Sequence, residues 1–453
     1  MAERTIAAIS TPQGEGAIGV IRISGEDAVK VADRVFKPLS GKPLTELSGY
    51  RAAYGEIYDG ESFLDNAVAL VFRAPKSYTG EDVVEISVHG GALMLRSVLR
   101  TIFNNGAFPA AAGEFSKRAF LNGKLDLTQA ESIMGLISAE NEAGLKMSRA
   151  ALSGRVSQKI GKIEADLISA AASIAAYSDY PEEDLEDLSP ENFGKMLNEA
   201  RTELGKMLDS YDAGKILRDG ITTVIVGKPN VGKSTLMNLL SGEERSIVTD
   251  VAGTTRDVVE ETVTVGNIML RLADTAGIHE TQDKVESIGV SLAQQRIDTA
   301  QLVLAVFDST KPLDCDDKRI LESVKSKNTI IIINKTDCGS CLSASDFEGF
   351  STVEISAKSG DGYDELSKLV AGITSTEKLS PDSAVLLSER QRTCAKQAFD
   401  ALNQAIDTLY GGNTIDAVGV CVDDALSALL TLTGKRVTNE VSDEIFRRFC
   451  VGK

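Results

Sequence analysis

The sequence predicts a multidomain protein of mixed class: an α+β segment, a helical segment, an α/β segment and a second helical segment. Three observations predict this order. Val83–His89 alternates with period two, the mark of a half-buried strand. Between about 125 and 215, and again after about 378, apolar residues recur at spacings of three, four or seven, the mark of amphipathic helices. Residues 221–373 alternate short apolar runs with helical patterns, as a mostly parallel sheet covered by helices does. A chain of 453 residues has room for two to four domains at roughly 100–200 residues each.

In the first 118 residues, Ile6–Ser10 and Ala17–Ile23 read as strands around the turn Gln13-Gly14-Glu15-Gly16. Arg51–Tyr58 and Asp65–Arg73 flank Asp59-Gly60, a dipeptide that favours a hairpin. In Val83–His89, the residues Val84, Ile86 and Val88 face one way, and Glu85, Ser87 and His89 face the other.

The helical pattern follows. Leu152, Val156, Ile160, Ile163, Leu167 and Ile174 form one apolar stripe, and Leu197, Ala200, Leu204, Leu208 and Tyr211 form another. Pro181, Glu182, Glu183 and Asp184 between them read as a solvated turn. After residue 378, Ala398, Leu402, Ala405 and Leu409, then Ala425, Leu429 and Leu432, repeat the helical stripe.

The α/β segment carries the chemistry. Its strands are expected at Ile221–Val226, Ile268–Ala273, Leu302–Phe307, Thr329–Ile333 and Thr352–Ile355. Gly227-Lys228-Pro229-Asn230-Val231-Gly232-Lys233-Ser234, followed by Thr235, leaves the first strand and opens a helix. It matches the phosphate-loop pattern: glycines let backbone N–H groups wrap phosphates, Lys233 reaches the β- and γ-phosphates, and the Ser234 hydroxyl suits Mg²⁺. Such an octet arises by chance in about one or two chains per hundred of this length, so its weight comes from its company. Asp274-Thr275-Ala276-Gly277 ends a strand where a segment sensing Mg²⁺ and the γ-phosphate belongs. Asn334-Lys335-Thr336-Asp337 ends another, and a carboxylate there accepts from N1–H and the 2-amino group of guanine, two donors that adenine lacks. Ser356-Ala357-Lys358 closes the base pocket. Together they read as a GTP site.

These motifs resemble the Ras-like GTPases of translation-factor type, with two departures from Ras. Ile278 follows Gly277 where Ras has a water-orienting Gln, so another group must place the nucleophile. Asn230 stands in the phosphate loop, and Thr249-Asp250-Val251-Ala252-Gly253-Thr254-Thr255-Arg256-Asp257 follows as a switch. In GTPases with this Asn and switch, K⁺ typically supplies the charge that an arginine finger otherwise would.

The likeness extends over the whole chain. Ile6–Pro12, Arg22-Ile23-Ser24-Gly25, Ser77–Asp82, His89-Gly90-Gly91, Gly113-Glu114-Phe115, Arg118–Glu131 and the ending Cys450-Val451-Gly452-Lys453 resemble the MnmE (TrmE) family of tRNA-modification GTPases. The resemblance implies an N-terminal folate-binding and dimerisation domain (1–118), a helical domain split into 119–215 and 378–453, and an inserted Ras-like G domain (216–377). It implies GTP hydrolysis in tRNA wobble-uridine modification by a homodimer, working in a heterotetramer with an FAD-dependent MnmG-type partner. A tetrahydrofolate derivative, 5-formyl- or 5,10-methylene-tetrahydrofolate, would supply the one-carbon unit. Carried over by motif, the folate positions are Arg22, Glu85, Lys124 and Lys453. The K⁺ positions are Asn230, Thr249, Val251 and Thr254, the Mg²⁺ positions Ser234 and Thr255, and the water-orienting carboxylate Glu286. Cys450 is expected to serve the modification chemistry, with Arg447, Arg448 and Lys453 close enough in sequence to favour its thiolate. Two stretches depart from the family pattern: Ala110-Ala111-Ala112, where relatives commonly show Arg and Pro, and Ser388–Gln391.

A ribosome-assembly GTPase switch is the alternative reading. Such proteins usually append a compact RNA-binding module, whereas the segment after the G domain here is rich in Ala and Leu. The net charge of −18 speaks against a broad phosphate-binding surface and confines any RNA contact to local patches. No apolar run reaches the ~18 residues of a membrane span, and the N-terminus lacks a signal-peptide pattern. A cytoplasmic location without membrane contact is the expectation. The six cysteines read as reduced thiols, with Cys338 and Cys341 on a solvent-side loop.

Overall fold

The computed structural model describes residues 4–12, 14–179, 190–242, 261–272, 295–376 and 383–452. The chain divides into two compact units: Met1–Met134, Leu152–Arg201 and Thr393–Lys453 in the first, Gly135–Ala151 and Thr202–Arg392 in the second.

The first unit begins with a seven-stranded sheet. Its elements are β1 (Ile6–Ile9), β2 (Ile18–Ser24), α1 (Ala28–Val35), β3 (Phe36–Pro38), β4 (Arg51–Asp59), β5 (Ser62–Phe72), β6 (Val83–His89), α2 (Ala92–Asn104) and β7 (Phe108–Pro109). The strand order is β3-β4-β5-β6-β2-β1-β7. The Asp59-Gly60 hairpin forms as the dipeptide predicts: Asp59 pairs with Ser62, and Gly60 takes a φ of 62°. In β6, Val84, Ile86 and Val88 are buried while His89 is exposed, so the alternation in the sequence is the alternation of the faces. That buried face joins Ile21, Ile23, Ile57 and Val71 of the sheet to Val29 and Val35 of α1 and Val98 and Ile102 of α2 in one core.

The same unit continues with α3 (Glu114–Leu121), α4 (Leu127–Ile137) and α6 (Arg155–Asp179). It closes with α11 (Glu389–Tyr410), α12 (Ile415–Thr433) and α13 (Asn439–Arg447). The stripe Val156, Ile160, Ile163, Leu167, Ile174 is buried, as are Ala425, Leu429 and Leu432 of α12. Glu164 of α6 is 1% exposed. Its burial is offset by Thr433, which donates at 2.9 Å, and by an ion pair with Lys435.

The second unit contains α5 (Glu142–Leu152) and most of α7 (Pro190–Asp219). In α7 the buried stripe runs through Leu204, Met207 and Tyr211 (Leu208 is half-buried), so one expected core position moves by one residue. The α/β part comprises β8 (Ile221–Val226), α8 (Lys233–Gly242), β9 (Glu261–Val265), β10 (Ile268–Leu272), β11 (Leu302–Asp308), α9 (Cys315–Val324), β12 (Thr329–Asn334), β13 (Ser351–Ile355) and α10 (Tyr363–Ile373). Its sheet order is β13-β12-β11-β8-β10-β9, parallel except for the β9–β10 hairpin. β9 is not among the expected strands: Glu261-Thr262-Val263-Thr264-Val265 has no apolar run, but it alternates, and Val263 and Val265 are each 1% exposed. Arg271, near the end of β10, donates to the Asp219 carbonyl at 2.8 Å and pairs with Glu140 at 3.0 Å, fastening this strand to the ends of helical segments in its own unit. Among the described residues no helix is long and apolar enough to cross a membrane. The acidic turn at 181–184 lies outside the described residues.

Candidate nucleotide-binding site

The C-terminal ends of β8, β11, β12 and β13 lie side by side in one parallel array. The chain runs from β8 to β10 on one side and later to β11 on the other, so β8 is the switch point where α/β sheets place ligands. The phosphate loop leaves β8 there and enters α8 at Lys233. Asn230 and Gly232 both take positive φ, 64° and 101°. Asn tolerates this region better than most side chains. At Gly232 glycine is required, because a Cβ there would collide with Nδ2 of Asn334.

Asn334 is the keystone of the site. It is 2% exposed; Nδ2 donates to the Val231 carbonyl at 2.9 Å, and Oδ1 accepts from the Ala357 amide at 3.0 Å. One side chain thereby joins the phosphate loop to the last strand's loop. Lys335 takes a φ of 68°, and its ammonium donates to the Asn230 carbonyl at 2.7 Å and pairs with Asp308 at 2.7 Å. Burial acts to raise the Asp308 pKa, but bonds from Lys335 and Thr310 outweigh it and bring it to about 2.

The end of the site around Asp337 is equally defined. Ser356 Oγ donates to Asp337 Oδ1 at 2.9 Å, and this bond is the main reason the Asp337 carboxyl sits below its ordinary pKa. The Cys338 thiol donates to the other oxygen at 3.4 Å. Ser356 and Ala357 are buried, and Lys358 is exposed. At the phosphate end, Lys233 donates to the carbonyls of Gly227 (2.7 Å) and Lys228 (2.6 Å), and burial lowers its pKa. Ser234 and Thr235 are exposed at the start of α8, where helix amides favour anions. Thr249, Asp250, Val251, Ala252, Gly253, Thr254, Thr255, Asp274, Thr275, Ala276, Gly277 and Glu286 lie outside the described residues.

In the first unit, Arg22 and Glu85 are direct cross-strand partners. Arg22 donates through Nε (2.9 Å) and Nη2 (2.8 Å) to the same Glu85 oxygen, and its guanidinium lies over the rings of Tyr78 and Phe115. The chain's tail comes to this pair. The Gly452 carbonyl accepts from Ser10 Oγ at 3.1 Å and from Arg22 Nη1 at 3.5 Å. Val451 bridges Ala112, and the Gly113 amide donates to the Cys450 carbonyl at 3.3 Å. Gly452 has a φ of 97° and lies so close to the Ile9 carbonyl that a Cβ would not fit. Phe446 and Phe449 anchor this tail in a core with Leu127 and Ala130. Cys450 is exposed. Arg447 and Arg448 both pair with Glu444, at 3.0 and 3.5 Å. Lys124 donates to the Pro75 carbonyl at 3.1 Å, on the same segment whose Tyr78 stacks against Arg22. Lys453 lies outside the described residues.

Comparison with known proteins decides the family. The profile of the GTP-binding protein TrmE N-terminus matches residues 5–124, and that of the MnmE helical domain matches residues 127–450. The chain is 39% identical to the tRNA modification GTPase MnmE of Clostridioides difficile over 99% of both chains. It is 40% identical to that of Geobacillus kaustophilus, again over 99% of both. The chain belongs to the MnmE family of tRNA modification GTPases. Among solved structures, the G domain of the Thermotoga maritima FeoB iron transporter is 23% identical, covering 34% of this chain and 98% of its own, with a TM-score of 0.26. Aquifex aeolicus Era is 30% identical, covering 40% and 66%, with a TM-score of 0.26.

As an MnmE-family chain it carries the family's GTP-binding apparatus, with the Mg²⁺ that such GTPases typically use. Sequence reasoning missed Asp308, which ends an apolar run and reads as a strand cap. It also missed the partners of Lys228, whose ammonium pairs with Asp314, the N-cap of α9, and Asp317 in its first turn. Those carboxylates stand 86 and 89 residues further on, beyond the reach of any local pattern. Cys338 and Cys341 are exposed, unbridged thiols.

Proposed function

We propose that this chain is a GTP-hydrolysing enzyme of tRNA modification. In this reading it acts as a homodimer with an FAD-dependent MnmG-type protein, in the cytoplasm, and adds a carboxymethylaminomethyl or aminomethyl group at C5 of the wobble uridine. Its domains are 1–118 for folate and dimerisation, 119–215 and 378–453 for the helical domain, and 216–377 for the G domain. The observation that carries the GTP reading is the Asn334 clamp, which holds the phosphate loop and the Ser356-Ala357 loop together beside the Asp337 carboxylate.

In this mechanism the loop amides of Asn230, Val231 and Gly232 and the Lys233 ammonium bind the phosphates, while Asp337 reads the base. Ser234 and Thr255 would hold Mg²⁺, and Asn230, Thr249, Val251 and Thr254 would hold K⁺; when bound, these ions would neutralise phosphate charge. The donors among the described residues, Ser234 and Asn230, suit these ions. The Ser234 hydroxyl is exposed at the helix start, and the Asn230 side chain is exposed while its carbonyl is engaged by Lys335. Glu286 orients the attacking water, a role Ile278 has no polar group to fill. Hydrolysis measured at equal ionic strength is expected to be faster in K⁺ than in Na⁺, and Glu286→Ala is expected to bind GTP while losing turnover. Equal rates in the two salts, or normal turnover by the variant, would remove the corresponding assignment.

The one-carbon unit comes from a reduced folate at the N-terminal domain. Both bonds from Arg22 land on one oxygen of Glu85, so the other oxygen can accept from a pterin-like N–H. Arg22, Lys124 and Lys453 offer cations to the ligand's carbonyls and carboxylates. Cys450 lies two residues before Gly452, within about 7 Å along the chain, and is proposed to take part in the modification chemistry. Calorimetry with 5-formyl-tetrahydrofolate is expected to show binding that Glu85→Ala weakens by about 1–3 kcal/mol, the cost of leaving donors unpaired. A wild-type chain that binds no folate would refute this.

A further inference from the structure

The phosphate loop carries a second cation whose place invites a misreading. Lys228 follows Gly227 at the end of β8, and a lysine there suggests a ligand for phosphate. Its ammonium is instead held by two carboxylates, Asp314 Oδ2 at 2.6 Å and Asp317 Oδ2 at 2.7 Å. Both acids stand at the start of α9 in a capping box: Asp314 accepts from the amides of Asp316 and Asp317, and Asp317 accepts from the amide of Asp314. The carboxylates are therefore oriented by backbone donors before the lysine is added. Asp317 is 5% exposed and the Lys228 side chain 25%, whereas the Asp314 side chain is 57% exposed, so it is the Lys228–Asp317 pair that is less solvated than the surface pairs that contribute little. One ammonium against two carboxylates leaves a local charge of −1, which has no attraction for a polyphosphate. At its backbone end, the carbonyl of Lys228 accepts from Lys233 at 2.6 Å.

We infer that Lys228 is a positioning residue for nucleotide binding: it rivets the first turn of the phosphate loop to the N-terminus of α9 and makes no phosphate contact. The inference rests on the GTP reading of this site. With the rivet closed, the start of the loop is fixed from the α9 side by a side chain and from the α8 side by Lys233. The loop amides then lose less conformational freedom on binding, and the gain appears as affinity.

The test uses the full chain and measures GDP dissociation constants together with steady-state GTP hydrolysis. The variants are Lys228→Met, the double change Asp314→Asn with Asp317→Asn, their combination, and Lys228→Arg. Asn keeps the helix cap while removing the charge. Lys228→Met and the double Asn variant are each expected to weaken GDP binding about 5- to 10-fold, to raise KM more than they lower kcat, and to show no further loss when combined. Lys228→Arg is expected to restore most of the affinity. The inference is overturned if Lys228→Met weakens binding while the double Asn variant leaves it unchanged or tighter, which is the behaviour of a phosphate ligand. It is also overturned if the losses add in the combination, or if no variant moves affinity. A wild-type chain that fails to bind GDP would sink the GTP reading along with it, whereas normal wild-type binding with silent variants strikes the rivet alone.

Discussion

Gly232→Ala is expected to abolish useful nucleotide binding. The residue holds a φ of 101°, and an added Cβ would occupy the space of Asn334 Nδ2. Backbone strain of this kind costs about 1–3 kcal/mol. The displaced Asn334 would also lose its bond to Val231, leaving a buried amide unpaired at a further ~1–3 kcal/mol. At 1.4 kcal/mol per decade the sum is on the order of a hundredfold in affinity or more. Gly242 at the end of α8 supplies the control: nothing lies within 4 Å of its added Cβ, so Gly242→Ala should leave GDP affinity near the wild-type value. Titration of labelled GDP against both variants measures the effect. A Gly232→Ala chain that binds like wild type would mean that Asn334 does not hold the loop as described.

Asp337→Asn is expected to lower GTP affinity by about a hundredfold, from the loss of two charge-assisted bonds to the base at about 1.5–3 kcal/mol each, partly offset by what the amide still makes. The same change should raise affinity for xanthosine triphosphate, whose C2 carbonyl needs a donor where guanine offers one. The Ser356 bond to Asp337 should persist, because the amide oxygen still accepts. Competition between the two nucleotides reads the outcome. A variant that keeps its preference for GTP would remove Asp337 from base recognition.

Elements whose cause is local were the legible ones. Val83–His89 alternates because one face is buried, and the sequence shows the faces directly. The phosphate loop is written in the residues that make it. Other features have causes elsewhere in the chain. β9 is the exception: Thr262-Val263-Thr264-Val265 alternates as a half-buried strand does, with Val263 and Val265 buried and Gly266 turning the chain back onto β10, a local signal in a segment without an apolar run. The α7 stripe passes through Met207 because packing chooses among neighbouring apolar residues that periodicity treats alike. The partners of Lys228, Asn334 and Arg22 are set by tertiary approach, so motif spacing named Asn334, and family resemblance Arg22, without revealing the clamp or the tail at Gly452. The folate positions came from family resemblance; of these the structure places Arg22 and Glu85 in contact and Lys124 on Pro75.

Nucleoside analysis of tRNA tests the central claim most directly. A deletion strain would be compared with strains restored by the wild-type gene, by Glu286→Ala and by Cys450→Ser. Loss of the C5 modification at the wobble uridine in the deletion strain is predicted, with recovery only on restoring the wild-type gene. The Cys450→Ser chain is predicted to hydrolyse GTP while modification falls. Full modification of wobble uridines in the deletion strain would contradict the account.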